Sequence, residues 1–119
     1  MRDLDGLTMF VTSTANTGVV SGETRLHFTQ RGGRVSARYA GGRVARGWLV
    51  GWRDDHTLRF RYVQREDGAK IHAGQSVCDL EQLPDGRLRI IEHFVWSTRD
   101  GSGINVFEEL PRPGSEWPR

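Results

Sequence analysis

The chain has 119 residues, a formal charge of +2 and one cysteine, Cys78. That length suits a single domain able to bury about two-thirds of its unfolded surface, and a lone cysteine excludes an intramolecular disulfide. No run approaches the ~18 apolar residues of a membrane-spanning helix, and the polar start Met1-Arg2-Asp3-Leu4-Asp5 has no apolar signal segment, so a cytoplasmic location without a membrane partner is expected.

Apolar and polar residues alternate along most of the chain and turn signals recur, with no sustained 3.6-residue period; this is the pattern of an antiparallel meander. Eight strands are predicted, at about Leu7–Thr14, Glu23–Gln30, Arg34–Tyr39, Arg43–Trp52, Thr57–Gln64, Lys70–Leu83, Arg87–Ser97 and Gly103–Leu110. The expected fold is all-β, a single up-and-down barrel of lipocalin or avidin-like architecture over residues 1–110. Closure of the barrel removes the exposed edges. The stretch 111–119, which holds three of the four prolines, reads as a tail lying over the surface or fraying.

Three hairpins give registers. Leu83-Pro84-Asp85-Gly86-Arg87 fits a three-residue loop, with Pro84 starting a type I turn and Gly86 in the left-handed position. Pairing Leu83 with Arg87 sets Glu92 opposite Cys78, Phe94 opposite Ser76 and Trp96 opposite Gly74. A loop at Arg65–Ala69, pairing Gln64 with Lys70, sets Tyr62 against His72 and Phe60 against Gly74. A two-residue loop at Asp54-Asp55 pairs Gly51 with Leu58, Leu49 with Phe60 and Gly47 with Tyr62. All three agree on the inward face: Gly47, Leu49 and Gly51; Leu58, Phe60, Tyr62 and Gln64; His72, Gly74, Ser76, Cys78 and Leu80; Leu88, Ile90, Glu92, Phe94 and Trp96. Leu26, Phe28, Gln30, Val35, Ala37 and Tyr39 extend it on the second and third strands.

Leu80, Leu88 and Ile90 read as an apolar plug. The rest of the interior is aromatic and polar, and a barrel of this size has room for one small ligand. The candidate ligand-binding residues are Tyr39, Phe60, Tyr62, Gln64, His72, Ser76, Cys78, Glu92, Phe94 and Trp96. Polar groups buried there must bond to one another, to water or to a ligand. Glu92, in the middle of Leu88-Arg89-Ile90-Ile91-Glu92-His93-Phe94-Val95-Trp96, would have a raised pKa if desolvated and so suit acid–base work or a polar ligand group. A structural salt bridge, to Arg61 or a rim arginine, or a register in which Glu92 faces out, is the alternative. Tyr62 and Tyr39 suit hydrogen bonding to a ligand carbonyl, or plain core packing with their hydroxyls at the rim. Cys78 beside Glu92 reads as a buried structural thiol, since a nearby carboxylate disfavours the thiolate.

Metal and cofactor chemistry find little support. His27 and His93 alternate out of phase with Phe28 and Phe94, His56 lies at a turn, and His72 alone faces inward; one histidine makes no zinc site. There is no HExxH, CxxC or phosphate loop, and Ser102 has no triad around it. No metal and no cofactor are expected. The charge is nonetheless uneven. Nine arginines face two acids, Asp54 and Asp55, between Arg31 and Arg65, whereas ten acids face six bases from Glu66 onward. This is either a basic face for an anionic partner or the arginine-rich usage of a GC-rich genome, since Lys70 is the only lysine; on the second reading nucleic acid is disfavoured as a partner.

Ala40-Gly41-Gly42-Arg43-Val44-Ala45-Arg46-Gly47, Phe60-Arg61-Tyr62 and the run Leu83-Pro84-Asp85-Gly86-Arg87-Leu88-Arg89-Ile90 through Glu92 and Trp96 to Gly103 resemble, in this order, a family of small bacterial proteins of about this length. Many of its members are labelled N-acetylglutamate synthase. Gly42, Gly47, Arg61, Tyr62, Gly74, Glu92, Trp96 and Glu108 match its pattern. Phe94 stands where Trp is usual, Ser76 where Cys is usual and Arg99 where Gly is usual. The resemblance implies a calycin-like barrel; the label implies acetyl-CoA and a GNAT-type α/β domain, for which the sequence shows neither pyrophosphate loop nor helices.

Three functions follow. The first is binding of an apolar or aromatic small molecule whose polar end is held by Tyr62 and Glu92. The second is a small barrel enzyme, of isomerase or cyclase type, with Glu92 as general acid or base and Tyr62 steadying an oxyanion. The third is anion or nucleic-acid binding on the arginine-rich face. A homodimer is admitted as an assembly, and the register leaves open which of Glu108 and Glu109 faces inward.

Overall fold

A computed structural model describes residues 1–111; the expected tail beyond Pro111 lies outside the described residues. Eight strands run β1 Thr8–Ser13, β2 Arg25–Arg31, β3 Arg34–Gly41, β4 Val44–Asp54, β5 Thr57–Glu66, β6 Ile71–Gln82, β7 Leu88–Trp96 and β8 Ser102–Glu109. Each pairs antiparallel with the next and β8 pairs back to β1, which closes the barrel. Among the described residues, the only helical element is the 3-10 turn Asp67–Ala69, and no helix is long and apolar enough to cross a membrane.

The β6–β7 register is the one predicted: Cys78 faces Glu92, Ser76 faces Phe94 and Gly74 faces Trp96. The other two hairpins differ by two residues. On β4–β5, Gly51 pairs with Phe60, Leu49 with Tyr62 and Gly47 with Gln64, because the turn residues are Asp55 and His56. On β5–β6, Tyr62 pairs with Gly74 and Gln64 with His72, because the strand runs on to Glu66, which pairs its N–H with the Lys70 carbonyl. Ala69 there takes a left-handed φ of 63° beside Gly68, a conformation the sequence did not signal. A shift of two leaves every side chain on its face, because the strand period is two. The predicted interior is therefore retained even where the partners change.

The closed end holds Leu4, Met9, Val35, Leu58, Leu88 and Ile90, all fully buried. The plug expected from Leu80, Leu88 and Ile90 is present, and residues before β1 complete it. Leu4 is drawn in by its N–H to Gln30 Oε1 (2.9 Å), and Gly6 N–H bonds the Phe28 carbonyl (3.0 Å). Glu109 is the inward member of its pair. It takes both guanidinium nitrogens of Arg2 at 3.0 Å and the Leu88 N–H at 3.1 Å, while Glu108 faces outward towards Arg89.

Leu88→Ala removes a fully enclosed side chain between strands that cannot collapse inward. It should cost about 2–5 kcal/mol, read as a lower urea midpoint with an unchanged slope.

Candidate functional site

Strand alternation places Tyr39 of β3, Phe60, Tyr62 and Gln64 of β5, and Glu92, Phe94 and Trp96 of β7 around one cavity near the open end, with Asn105 and Phe107 of β8 completing the wall. Glycines set where these rings lie. Gly47 sits directly beneath the Tyr39 ring, and Gly74 lies between Tyr62 on one neighbour and Trp96 on the other. A Cβ at Gly74 would collide with the Tyr62 phenol, so the glycine lets the ring lie flat over the neighbouring strand. The aromatic rings meet edge to face, Tyr62 with Trp96 at 5.4 Å and Phe94 with Trp96 at 5.9 Å, the arrangement ring quadrupoles favour.

Glu92 is buried at the centre of this wall, and its partners are neutral. Ser76 Oγ donates to Oε2 at 2.6 Å and Asn105 Nδ2 donates to Oε1 at 2.9 Å. The salt bridge to Arg61 or a rim arginine does not form: Arg61 points outward and is exposed. Burial pushes the Glu92 carboxyl above its ordinary range, and the bonds from Ser76 and Asn105 offset only part of that. Burial, then the Glu92 charge, also raises the Tyr39 and Tyr62 phenols, so both stand as neutral donors.

Tyr39 Oη donates to Gln64 Oε1 (2.9 Å), and Gln64 Nε2 donates to Glu66 Oε2 (2.9 Å). Arg99 pairs with the same Glu66 oxygen and stacks over the Trp96 ring at 4.2 Å, which ties the β7–β8 loop across the mouth. Tyr62 differs. Its hydroxyl is buried against Gly74 and has no protein hydrogen-bond partner among the described residues.

The connection between β1 and β2 covers the opening. Gly18, Val19 and Val20 line the cavity from above. Thr14 Oγ1 (2.8 Å) and the Ala15 N–H (3.3 Å) bond Asn105 Oδ1, Trp96 Nε1 donates to the Thr17 carbonyl (2.9 Å), and Thr17 Oγ1 donates to the Ser102 carbonyl (2.7 Å). The cavity offers about 30 Å³ to water, enough for about two molecules.

Of the ten candidate residues, seven line the cavity: Tyr39, Phe60, Tyr62, Gln64, Glu92, Phe94 and Trp96. Three stand elsewhere. His72 is at the rim, half-buried, with Nδ1 2.8 Å from Thr98 Oγ1; the two-residue extension of β5 pairs it with Gln64 rather than Tyr62, one step nearer the mouth. Ser76 lies behind Glu92 and acts on it rather than on the cavity. Cys78 is fully buried toward the closed end, its thiol pushed up by burial and then by Glu92, in keeping with a structural role. Asn105 was missed. The run Gly103-Ile104-Asn105-Val106-Phe107 carries the alternation that would have placed it, but without the β7–β8 register its phase is open. Glu92 faces Asn105 directly across that pair. Among the described residues, no three of His, Cys, Asp and Glu stand together to hold a metal.

A closed meander barrel with one end plugged and a polar, aromatic chamber under the other is the architecture of a small-molecule binding barrel. The avidin-like protein family model matches residues 2–110, and the chain belongs to that family. Avidin-like barrels typically bind small molecules. No curated protein and no solved structure matches the chain. The family found is thus avidin-like, and nothing supports the N-acetylglutamate synthase label; the α/β domain it implies is not this barrel.

A carboxyl whose pKa is higher folded than unfolded stabilises the fold fully below its unfolded value, and that contribution is lost as pH rises through the folded pKa. Glu92→Gln keeps an acceptor for Asn105 and carries no charge. Its melting temperature should therefore gain on that of the native chain as pH is raised above 4.5, the ordinary value of this carboxyl. A difference that stays constant from pH 4 to 8 would mean that Glu92 does not titrate as its burial requires.

Proposed function

We propose that the barrel binds a small molecule with an apolar or aromatic body, and that Tyr62 and Glu92 hold its polar end. The observation that carries this is the unpartnered Tyr62 hydroxyl. A buried donor that neither protein, water nor ligand meets costs about 1–3 kcal/mol, and Tyr62 and Glu92 line the same cavity. Glu92 retains lone pairs beyond the two bonds it accepts. The matching ligand group is one that accepts from the phenol and donates to the carboxylate, such as an amide or a lactam. Phe60, Phe94, Phe107 and Trp96 supply the walls for its apolar part. Entry and exit go through the β1–β2 connection, held by a handful of hydrogen bonds and by Val19.

The acid–base alternative rests on the same raised carboxyl. It predicts that Glu92→Gln binds ligand yet loses turnover, whereas for a receptor the same change weakens binding itself.

Tyr62→Phe separates structural from ligand roles. It deletes a hydroxyl that has no partner, so the ligand-free variant should melt at the native temperature or above it. It should also lose the thermal shift given by a ligand found by native mass spectrometry of the purified protein, or by a thermal-shift screen. A variant that is destabilised without ligand, or that keeps the full shift, would contradict the proposal.

A further inference from the structure

The outward face of β3, β4 and β5 carries a second arrangement, independent of the cavity. β4 presents Trp48, Val50 and Trp52 in a row, exposed by 50%, 57% and 61%. Their cross-strand neighbours are mostly arginines, with Ser36 beside Val50 on β3 and Val63 beside Trp48 on β5. Arg34 and Arg59 flank Trp52, Arg61 lies beside Val50, Arg38 lies beside Trp48, and Arg46 pairs with Arg65 one step along. All six are exposed, and among the described residues none of them is in an ion pair. Asp54 is the one carboxylate at the outward positions of these strands.

The two indoles are held from one side and open on the other. The Trp52 ring lies against Gly33 in the β2–β3 turn, where an added Cβ would stand 3.0 Å from it. The Arg46 guanidinium sits over Trp48 at 5.9 Å from the ring centre. Four residues of extended strand separate the rings by about 13 Å, and the arginine rows of β3 and β5 lie about 10 Å apart. The result is an aromatic ridge between two cationic rails.

We infer that this face binds single-stranded nucleic acid, with bases stacking on Trp48 and Trp52 and phosphates taken by the flanking arginines. Stacking is tolerant of sequence because every base has a π-face, and an aromatic set in a positive groove is the general form of such sites. A second copy of the chain fits poorly, since a two-fold contact would set the arginines of one copy against those of the other with almost no carboxylate between them. An acidic protein would pair with the arginines but has no use for two open indoles. The charge skew that codon usage would scatter over the surface is gathered on one face, around the exposed tryptophans.

The test uses the full chain and a labelled 15-mer of dT, read by fluorescence anisotropy and by quenching of tryptophan emission. Binding at low salt is expected, with log K falling against log salt at a slope of about −3 for four phosphate contacts. Trp48→Ala and Trp52→Ala should each weaken binding roughly 5- to 150-fold, and the pair Arg59→Glu, Arg61→Glu should abolish it. Circular dichroism and melting temperature verify that these surface variants fold. The proposal is overturned by no binding at 50 mM salt, or by tryptophan variants that bind as the native chain does. It is also overturned if heparin, a polyanion without bases, binds with the same dependence on Trp48 and Trp52. Binding to phosphatidylglycerol vesicles but not to the oligonucleotide, or a dimer in sedimentation that the tryptophan variants dissociate, would assign the face to a membrane or to a second copy instead.

Discussion

The three-residue hairpin between β6 and β7 is the constraint from which the interior follows. Leu83 donates its N–H to the Arg87 carbonyl (2.7 Å), Gly86 donates back to Leu83 (2.9 Å) from a left-handed φ of 92°, and Asp85 Oδ1 takes the Arg87 N–H (3.1 Å). Counting from this loop, Leu88, Ile90, Glu92, Phe94 and Trp96 turn inward. A slip of one residue would exchange them for Arg89, Ile91, His93 and Val95. It would bury a guanidinium in the leucine plug, where a charge has no partner. Arg89 instead reaches Glu81 and Glu108 outside. The loop chemistry and the burial pattern select the same register, and they place Glu92 where Ser76 and Asn105 can reach it.

Why this much was legible in the sequence, and no more, follows from what each signal measures. Alternation reports a face, not a partner. That is why Tyr62 and Gln64 were correctly turned inward although their opposite residues were placed two positions away. The Pro84-Asp85-Gly86 turn has a strong local signature and its register is exact. Asp54-Asp55-His56 and Arg65–Ala69 have weak ones, since a left-handed Ala69 looks like any alanine. His72 left the site for that reason: its face was right and its height along the barrel was not. The β1–β2 connection was unreadable as a cover, because Thr14–Val20 has neither period nor motif, and its position depends on tertiary bonds to Asn105, Trp96 and Ser102. Asn105 was out of reach for the related reason that no compact turn joins β7 to β8.

Charge is distributed by depth. At the closed end Arg2 neutralises Glu109, and at the mouth Arg99 neutralises Glu66. Glu92, between them, is the carboxylate given only neutral donors. A guanidinium at that position would satisfy the carboxylate and pull its pKa down, leaving it little capacity for a further partner. Two neutral bonds keep it in place, leave lone pairs free, and leave its pKa raised. The cost falls on stability and is offset by the fully buried plug below. On the proposed reading a ligand donor meets the free lone pairs.

A strand period of two also explains how one sheet carries two chemistries. Along β4, Gly47, Leu49 and Gly51 serve the interior, and the residues between them, Trp48, Val50 and Trp52, serve the surface. Gly47 and Gly51 are small because Tyr39 and Phe60 lie across them. The tryptophans are outside because the same strand has no room for them within. The inner set is fixed by packing, so it tolerates few substitutions. The outer set is held more loosely, Trp52 by Gly33 and Trp48 by Arg46, and half or more of each indole is left open to what it meets. The two sets share a backbone and point to opposite faces of the sheet, so occupancy of the cavity and occupancy of the outer face are expected to be energetically separate.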